Sequence, residues 1–252
     1  NPLGHLEDTY LKIKDNQVQE LMTRFNKLSW QPTEKIFGVD NLSGIVHWLP
    51  NSGKLALNAH KTTVNFKELP PIQLSLANAA TEWKKDDQGL TLQLERVILK
   101  NSDLLLTTQG RIEHIHNGQA GQIDLNAQLS GRKVEKWLKY LPNDQLKPKL
   151  EYWLKNEVKQ IDSMVADIHV HGLWEDFPFD KRPGEFTIKS HLQGVDLVFA
   201  PGWPLAKNIE GYLSFDKRLL TADIVHANLL GVLLNKANLH IDDIGNDKET
   251  LL

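Results

Sequence analysis

The stretch that decides the fold is DFPFDKRPGEFTIKSHLQGVDLVFAPGWPLAKNIEGYLSFD, residues 176–216. It opens with a Phe-Pro-Phe turn and contains a rigid corner, Pro-Gly-Trp-Pro, at 201–204. Around these corners the apolar side chains follow a period of two, as in Phe186 and Ile188, or Leu213 and Phe215. This period is typical of β-strands with one apolar face and one polar face. The stretch therefore predicts successive strands whose apolar sides share one surface.

The same alternation recurs through most of the chain, for example at Leu55 and Leu57 or at Leu92 and Leu94. The segments between the alternating runs are short and polar, such as LPNSG at 49–53 and KKDDQG at 84–89. Short connections with Gly or Asn are typical of an antiparallel meander. We count about a dozen strands, more than a flat twisted sheet usually holds without curling or splitting.

Two segments instead have helical spacing. Val18, Leu21, Met22 and Phe25 predict an N-terminal helix that ends near Leu28, with Asp15 as its N-cap. Between 131 and 160, two short amphipathic patterns on either side of Pro142 predict a helical hairpin that covers the sheet. The expected organisation is a helical segment (1–30), a first strand segment (31–130), the hairpin (131–160) and a second strand segment (161–252).

Composition excludes several classes of function. The formal net charge of -3 comes with scattered basic residues, so we expect no nucleic-acid partner. The absence of cysteine excludes disulfides, thiolate metal sites and a cysteine nucleophile. No phosphate loop, nucleophile elbow or zinc-protease motif is present, and we expect neither an enzyme nor a cofactor. Because the chain begins at Asn1 and has no signal peptide or spanning run, we expect a segment of a longer protein.

Two further patterns, the histidine pairs and the tryptophans, are candidate binding sites. The pairs His114/His116 and His169/His171 place two imidazoles on one strand face, as a metal site requires, but we expect them to be exposed surface residues. The seven tryptophans are interpreted as packing residues at corners and helix stripes rather than as sugar-stacking platforms. The sequence therefore predicts no metal site and no catalytic residue.

Four pieces of the chain together resemble one known family, the YhdP branch of the AsmA-like superfamily. They span most of the chain from about Trp30 onward and occur in the family's order. They are LSGIVHW followed by GKLAL (42–57), YLP with LKPKLEYWL (140–154), DFPF with GEF (176–186), and APGWP followed by IEGYLSFD (200–216).

This resemblance implies an elongated antiparallel sheet curled into a groove and anchored, through other parts of the parent protein, in the inner membrane of bacteria with two membranes. It implies a periplasmic segment that moves phospholipid towards the outer membrane and supports its barrier, with both membranes as partners. The family offers no catalytic residues, so its functional surface is the set of inward apolar positions. The candidate groove lining is Leu55, Leu57, Leu74, Leu92, Leu94, Leu104, Leu106, Ile123, Leu125, Leu129, Ile168, Val170, Phe186, Ile188, Leu192, Leu197, Phe199, Leu213, Phe215, Ile224 and Leu239.

Alternation alone does not separate a lipid groove from a closed β-sandwich that serves as a spacer or docking domain, because both bury one face of each strand. A carbohydrate-binding β-domain is a third interpretation. Only the resemblance favours the groove. We also expect charged residues such as Lys189, Asp196 and Glu210 to lie at its rim or outside it.

Overall fold

The computed structural model describes residues 2–34, 36–67, 70–116, 120–136, 148–179, 181–200 and 202–243. The chain divides into two compact units. Unit 1 comprises Asn1–Ala127 with His171–Glu175, and unit 2 comprises Gln128–Val170 with Asp176–Leu252. The division falls inside two strands, β10 and β11, defined below.

Unit 1 is built from antiparallel strands joined by short turns. Its strands are β1 Leu3–Lys14, β2 Gln17–Trp30, β3 Gly38–Leu49, β4 Ser52–Ala59, β5 Thr62–Asn65, β6 Ile72–Leu74, β7 Leu76–Asp86, β8 Gly89–Lys100, β9 Leu104–Ile115 and the first half of β10, Gln122–Arg132.

Unit 2 contains one described α-helix and four complete strands, besides most of β11. These elements are α1 Pro148–Asn156, β11 Val158–Leu173, β12 Gly184–Leu197, β13 Ala206–Asp216, β14 Leu219–Leu229 and β15 Val232–Ile241. A 3-10 turn, Trp174–Asp176, follows β11.

The described strands pair into one sheet in the order β1-β2-β3-β4-β7-β8-β9-β10-β11-β12-β13-β14-β15, with β5 bound to β3 and β6. The prediction of a mainly β, antiparallel meander is therefore confirmed. Among the described strands, β5 continues β4 along β3, and β6 with β7 continues one antiparallel register on the other side, so these short strands extend the meander.

The predicted N-terminal helix is wrong. Residues 17–30 form strand β2, which pairs with β1 on one side and with β3 on the other. The turn between β1 and β2 consists of Asp15 and Asn16, both with positive φ (51° and 60°), as a tight hairpin requires. Asp15 is thus a turn residue and not a helix cap.

The predicted helical hairpin is not seen as such. Its second helix corresponds to α1, which starts at Pro148. Proline is tolerated there because the first residues of a helix need no backbone N–H for helical hydrogen bonds. Val158, expected on the stripe of that helix, is instead the first residue of β11. Of the first expected helix, 134–136 form a single 3-10 turn and the remainder lies outside the described residues. Among the described residues, no helix is long and apolar enough to cross a membrane.

The buried cluster of unit 1 lies at the end of the sheet where β5 and β6 extend β4 and β7. Ala59, Leu74 and Ala77 are buried there, 1–7% exposed. The half-buried side chains of Leu42, Val64, Ile72 and Leu99 pack around them. The burial of this cluster distinguishes one end of the sheet from the half-exposed centre of unit 1.

Candidate functional site

The strand register of unit 1 aligns its apolar side chains into rows that cross six strands, β2 to β9. Directly paired residues in adjacent strands point to the same face. One row is Leu21, Trp48, Gly53, Trp83, Leu92 and Ile112. The next is Thr23, Val46, Leu55, Thr81, Leu94 and Gly110. A third is Phe25, Gly44, Leu57, Ala79, Val97 and Thr108. We call this surface the apolar face of unit 1.

This face is only partly covered. The leucines at its centre, such as Leu55, Leu92 and Leu94, are half-buried, whereas the cluster at the end formed by β5 and β6 is buried. A leucine in the core between two packed sheets would be excluded from water. The half-exposed leucines thus leave an apolar surface available to a ligand.

Two aromatic rings lie flat on this face because glycines lie beneath them. A Cβ on Gly53 would stand 2.1 Å from Cζ2 of Trp83, and a Cβ on Gly44 would stand 2.8 Å from Cζ of Phe25. Both distances are too short for any side chain. The rings therefore add apolar area without projecting far from the sheet.

Unit 2 presents a second set of rows across β12 to β15, which we call the apolar face of unit 2. The first row is Ile188, Phe215, Leu220 and Ile241. The second is Ser190, Leu213, Ala222 and Leu239. The third is Leu192, Gly211, Ile224 and Ala237.

An aromatic turn closes one end of the apolar face of unit 2. The ring of Phe177 lies 4.9 Å from that of Phe186 and 5.8 Å from that of Phe179, in the latter case edge to face. Phe179 is completely buried. The Phe-Pro-Phe corner thus anchors the beginning of β12 at one end of this face.

The polar side chains on the apolar faces have their hydrogen bonds inside the protein. The hydroxyl of Thr23 lies 2.8 Å from that of Thr9, and the Ser190 hydroxyl donates to the carbonyl of Leu213 at 3.0 Å. Both residues are buried. Because a hydroxyl that is already satisfied does not need water, these positions do not interrupt the apolar surface.

The opposite face of unit 1 carries charges in alternating order. Glu20 contacts His47 (2.8 Å), Lys54 pairs with Glu82, and Gln93 of the next strand donates to the carbonyl of Gly110. The Lys54–Glu82 pair is exposed and the Glu20–His47 pair is half-exposed, and such pairs contribute little stability individually. They mark this side of the sheet as the one that faces water.

In unit 2 the charged side is organised around Glu210. Its carboxylate accepts hydrogen bonds from Gln193 (3.4 Å) and His191 (3.1 Å), and His226 lies 3.7 Å away. The ring of His191 stacks on Tyr212 at 4.7 Å. The hydrogen bonds from Gln193 and then His191 lower the pKa of Glu210 below its ordinary value of 4.5.

This cluster predicts a specific pH dependence. Because the folded chain holds the pKa of Glu210 below 4.5, ionised Glu210 stabilises the fold above that pH, and this contribution is lost as the pH falls through the lowered pKa. We expect the urea midpoint of Glu210→Gln to decrease less on acidification than that of the unmodified chain. In Gln193→Ala, the urea midpoint should decrease on acidification by an amount between those of Glu210→Gln and the unmodified chain. Equal pH profiles for all three chains would contradict the assignment.

The register brings many of the predicted lining residues together. In unit 1 it aligns Leu55, Leu57, Leu92 and Leu94, and it pairs Leu106 with Leu99. Leu125 extends the second row, because its Cα would lie 2.9 Å from a Cβ on Gly110. In unit 2 the register aligns seven predicted residues: Ile188, Leu192, Leu197, Leu213, Phe215, Ile224 and Leu239.

Other predicted residues lie in different surroundings. Leu74 belongs to β6 and to the buried cluster of unit 1, and Ile123 of β10 is likewise buried. Phe199 lies in the connection after β12, with its ring 6.4 Å from that of Trp203. The remaining four, in β9, β10 and β11, are half-buried: Leu104, Leu129, Ile168 and Val170. Phe186 contacts the aromatic turn.

Several residues of the apolar face of unit 1 are absent from the predicted lining. Leu21 and Phe25 fall in the segment that the sequence predicts as a helix, and Trp48 and Trp83 are among the tryptophans interpreted as packing residues. A period-two signal was available in β2, where Leu21, Thr23 and Phe25 share one face while Met22, 45% exposed, lies on the other.

The two histidine pairs form no ion site in the described part of the chain. His169 pairs with Glu185 at 3.4 Å and His171 with Asp124 at 3.7 Å, while His114 contacts Gln88. Across the described ranges, no group of three His, Asp or Glu side chains could hold a metal.

Comparison with known proteins relates this sheet to one family. Residues 1–252 match the family model described as YhdP protein. A curated relative, "Intermembrane phospholipid transporter YhdP" of Escherichia coli (strain K12), is 20% identical over 232 residues, which is 90% of this chain and 18% of the relative. No solved structure matches the chain. Because the family model covers the whole length, the chain belongs to the YhdP family.

Proposed function

We propose that this chain is a non-enzymatic lipid-transport module whose apolar faces shield the acyl chains of phospholipids. The observation that carries the proposal is the set of continuous apolar rows, six strands wide in unit 1 and four in unit 2, whose central residues stay half-exposed. A surface of this kind needs an apolar partner, since large exposed apolar patches are uncommon in soluble proteins.

The free energy of lipid transfer explains why such a surface is useful. Moving an acyl chain into water costs about 0.8 kcal/mol for each CH₂ group, or on the order of ten kcal/mol for a whole chain. An apolar strand face removes most of this cost. The backbone of each strand is hydrogen-bonded to its neighbours, so it offers no unpaired polar group to the lipid.

The charged sides of both units fit the same function. Lys189 and Glu210 lie on the polar face of unit 2, where Lys189 is paired across the strands with Ser214. Asp196 accepts a hydrogen bond from the backbone of Asn208. We infer that the tails lie along the apolar faces, while phosphate headgroups stay towards water at the rim.

We further propose that the transfer takes place in the periplasm, between the inner and outer membranes, and supports the outer-membrane barrier. The support is the name of the curated relative, an intermembrane phospholipid transporter. The present chain spans 18% of that protein, so this role belongs to the whole molecule, with anchors and partners outside this segment. The curled shape of the sheet that the resemblance implies is part of the same proposal.

Bound lipid is the direct test. We expect native mass spectrometry of the gently purified chain to detect phospholipid, and the delipidated chain to bind a phospholipid with a fluorescent acyl tail. The matching glycerophosphodiester, which has the headgroup but no tails, should not compete. A chain that carries no lipid and takes up no tail probe would reject the proposal in favour of a closed structural domain.

A further inference from the structure

The hairpin between β14 and β15 ends in an exposed apolar tip, Leu229-Leu230-Gly231-Val232-Leu233-Leu234. Leu230 is 80% exposed, and Val232 and Leu233 are each 61% exposed. Leu234 is 41% exposed, whereas its cross-strand partner Ala227 is buried. This tip therefore holds the most exposed leucine of unit 2 among the described residues.

The tip is apolar on both of its faces, which alternation does not explain. Leu233, paired with Asn228, lines a shallow depression together with Leu205, Lys207 and Leu230. Because neighbouring side chains on a strand point to opposite faces, Val232 and Leu234 lie on the other side. The same depression is lined by His226, which contacts Glu210 of the polar face, and the positive φ of Lys236 (62°) breaks the alternation between Ala237 and the tip. Leu233 therefore lies on the polar side, where lipid transport along the apolar face of unit 2 does not explain it.

Other tight turns in the described chain are polar. The turn between β1 and β2 is Asp15-Asn16, the one between β7 and β8 is Asp87-Gln88, and the one between β13 and β14 is Lys217-Arg218. Water-facing turns favour such residues because their side chains and backbone are solvated. The Leu230-Gly231 turn is the exception.

More exposed aromatic residues lie near this end of unit 2. Trp203, in the connection between β12 and β13, is 49% exposed, and its neighbour Leu205 contributes to the depression under the tip. The indole of Trp153 in α1 donates to the carbonyl of Val198 in that connection. The adjacent Tyr152 is 62% exposed.

The charges around the tip are basic or already paired. Lys207 lines the depression and Lys236 follows the tip on β15, both exposed. Of the nearby acids, Asp196 is bound to the backbone of Asn208 and Glu210 to His191 and Gln193. β15 itself contains no acidic residue. The surroundings of the tip therefore favour an anionic partner.

We propose that this end of unit 2 is a membrane-contact site, at which the β14–β15 tip inserts into the interfacial layer of an anionic phospholipid bilayer. Leucines on both faces of a hairpin can be buried together only when the medium surrounds the tip, as lipid does. Trp and Tyr favour the level of the headgroups, where one part of the ring is apolar and the other wet. Lys207 and Lys236 would contact lipid phosphates. A flat protein surface would cover one face of the hairpin and leave the other in water.

Because the chain has no cysteine, one label can report on the tip. We expect Leu230→Cys, labelled with an environment-sensitive dye, to shift its emission to the blue on addition of vesicles of phosphatidylethanolamine and phosphatidylglycerol. Asn51→Cys, in the polar turn between β3 and β4, should show no shift. A dye at position 230 that responds no more than the dye at position 51 would overturn the proposal.

Unlabelled variants give the size of the effect. Leu230→Ser should lower the vesicle partition coefficient roughly tenfold, the scale set by removing one leucine from an apolar phase. Val165→Ser, at a 46% exposed residue of β11, is the matched control and should leave it unchanged. Lys207→Gln should weaken binding to anionic vesicles about fivefold and leave binding to neutral ones unaffected. Equal partition of Leu230→Ser and the unmodified chain would also reject membrane contact.

This site and the proposed lipid transport can fail independently. Leu230→Ser should retain the lipid that native mass spectrometry detects in the chain, because it leaves the apolar rows intact. Leu213→Asp should lose that lipid yet retain the dye response at position 230. A tip that binds vesicles in a chain that never holds lipid would support the contact site and reject the transport proposal.

Discussion

Leu213→Asp is expected to remove bound lipid from unit 2 while the chain stays folded. Leu213 lies in the second row of the apolar face of unit 2, between Ser190 and Ala222, and is half-buried. A carboxylate at this position can reach water in the free protein, but it would have to be desolvated beneath an acyl chain. We therefore expect the amount of co-purifying lipid to fall at least about tenfold, the effect of roughly 1.4 kcal/mol.

The control for this change is one residue away. Ser214 precedes Phe215 on the same strand but lies on the polar face, opposite Lys189. Ser214→Asp adds the same charge and should retain lipid. Native mass spectrometry measures lipid, and circular dichroism with urea unfolding measures the fold.

The same pair separates the groove from a closed β-sandwich. In a sandwich core, Leu213→Asp would bury an unpaired charge and unfold unit 2, because the carboxylate could not reach water there. Loss of cooperative unfolding in Leu213→Asp would therefore favour the sandwich. Retention of both fold and lipid would contradict both interpretations of this face.

Phe179→Ala is expected to cause the largest loss of stability. Phe179 is completely buried and packs edge to face on Phe177, which in turn contacts Phe186 on β12. Replacing a buried phenylalanine by alanine costs about 3–5 kcal/mol, through lost burial and the cavity that remains. Alanine keeps the Cβ at a residue whose φ is 66°, so the backbone strain is similar in both chains.

Urea unfolding measures this loss, and Phe177→Ala provides the comparison. Phe177 is 37% exposed, so its truncation should cost clearly less. Because the aromatic turn holds the beginning of β12, Phe179→Ala should also increase amide exchange at Phe186. Equal destabilisation by the two substitutions would show that the turn is not organised around Phe179.

The alternation of apolar residues predicted the strands well because it is a local property of the backbone. The same local reasoning failed at 17–30, since Val18, Leu21, Met22 and Phe25 satisfy a helical period as well as they fit a strand. What decides between the two is pairing with β1 and β3, which is set by contacts distant in sequence. Pairing in the sheet therefore outweighs the local helical pattern of residues 17–30.

The lining residues were predicted as a class, but their neighbours were not. Register determines that Leu94 lies between Thr81 and Gly110, and register depends on bulges such as the one between Ala80 and Thr81. Leu74 alternates like the other leucines yet is buried, because β6 pairs with β5 and places its side chain in one cluster with Ala59 and Ala77. The exposure of the apolar tip at 229–234 is not visible in the sequence, because it depends on what the rest of the fold leaves uncovered.

The packing of the Trp83 ring on Gly53 limits which residues can occupy position 53. A side chain at 53 would collide with the ring and with the backbone carbonyl of His47, 2.6 Å from the added Cβ. A smaller residue at 83 would relieve only the first of these collisions. A side chain at position 53 is therefore strained even when residue 83 is small, so position 53 is the more constrained of the two although it carries no side chain.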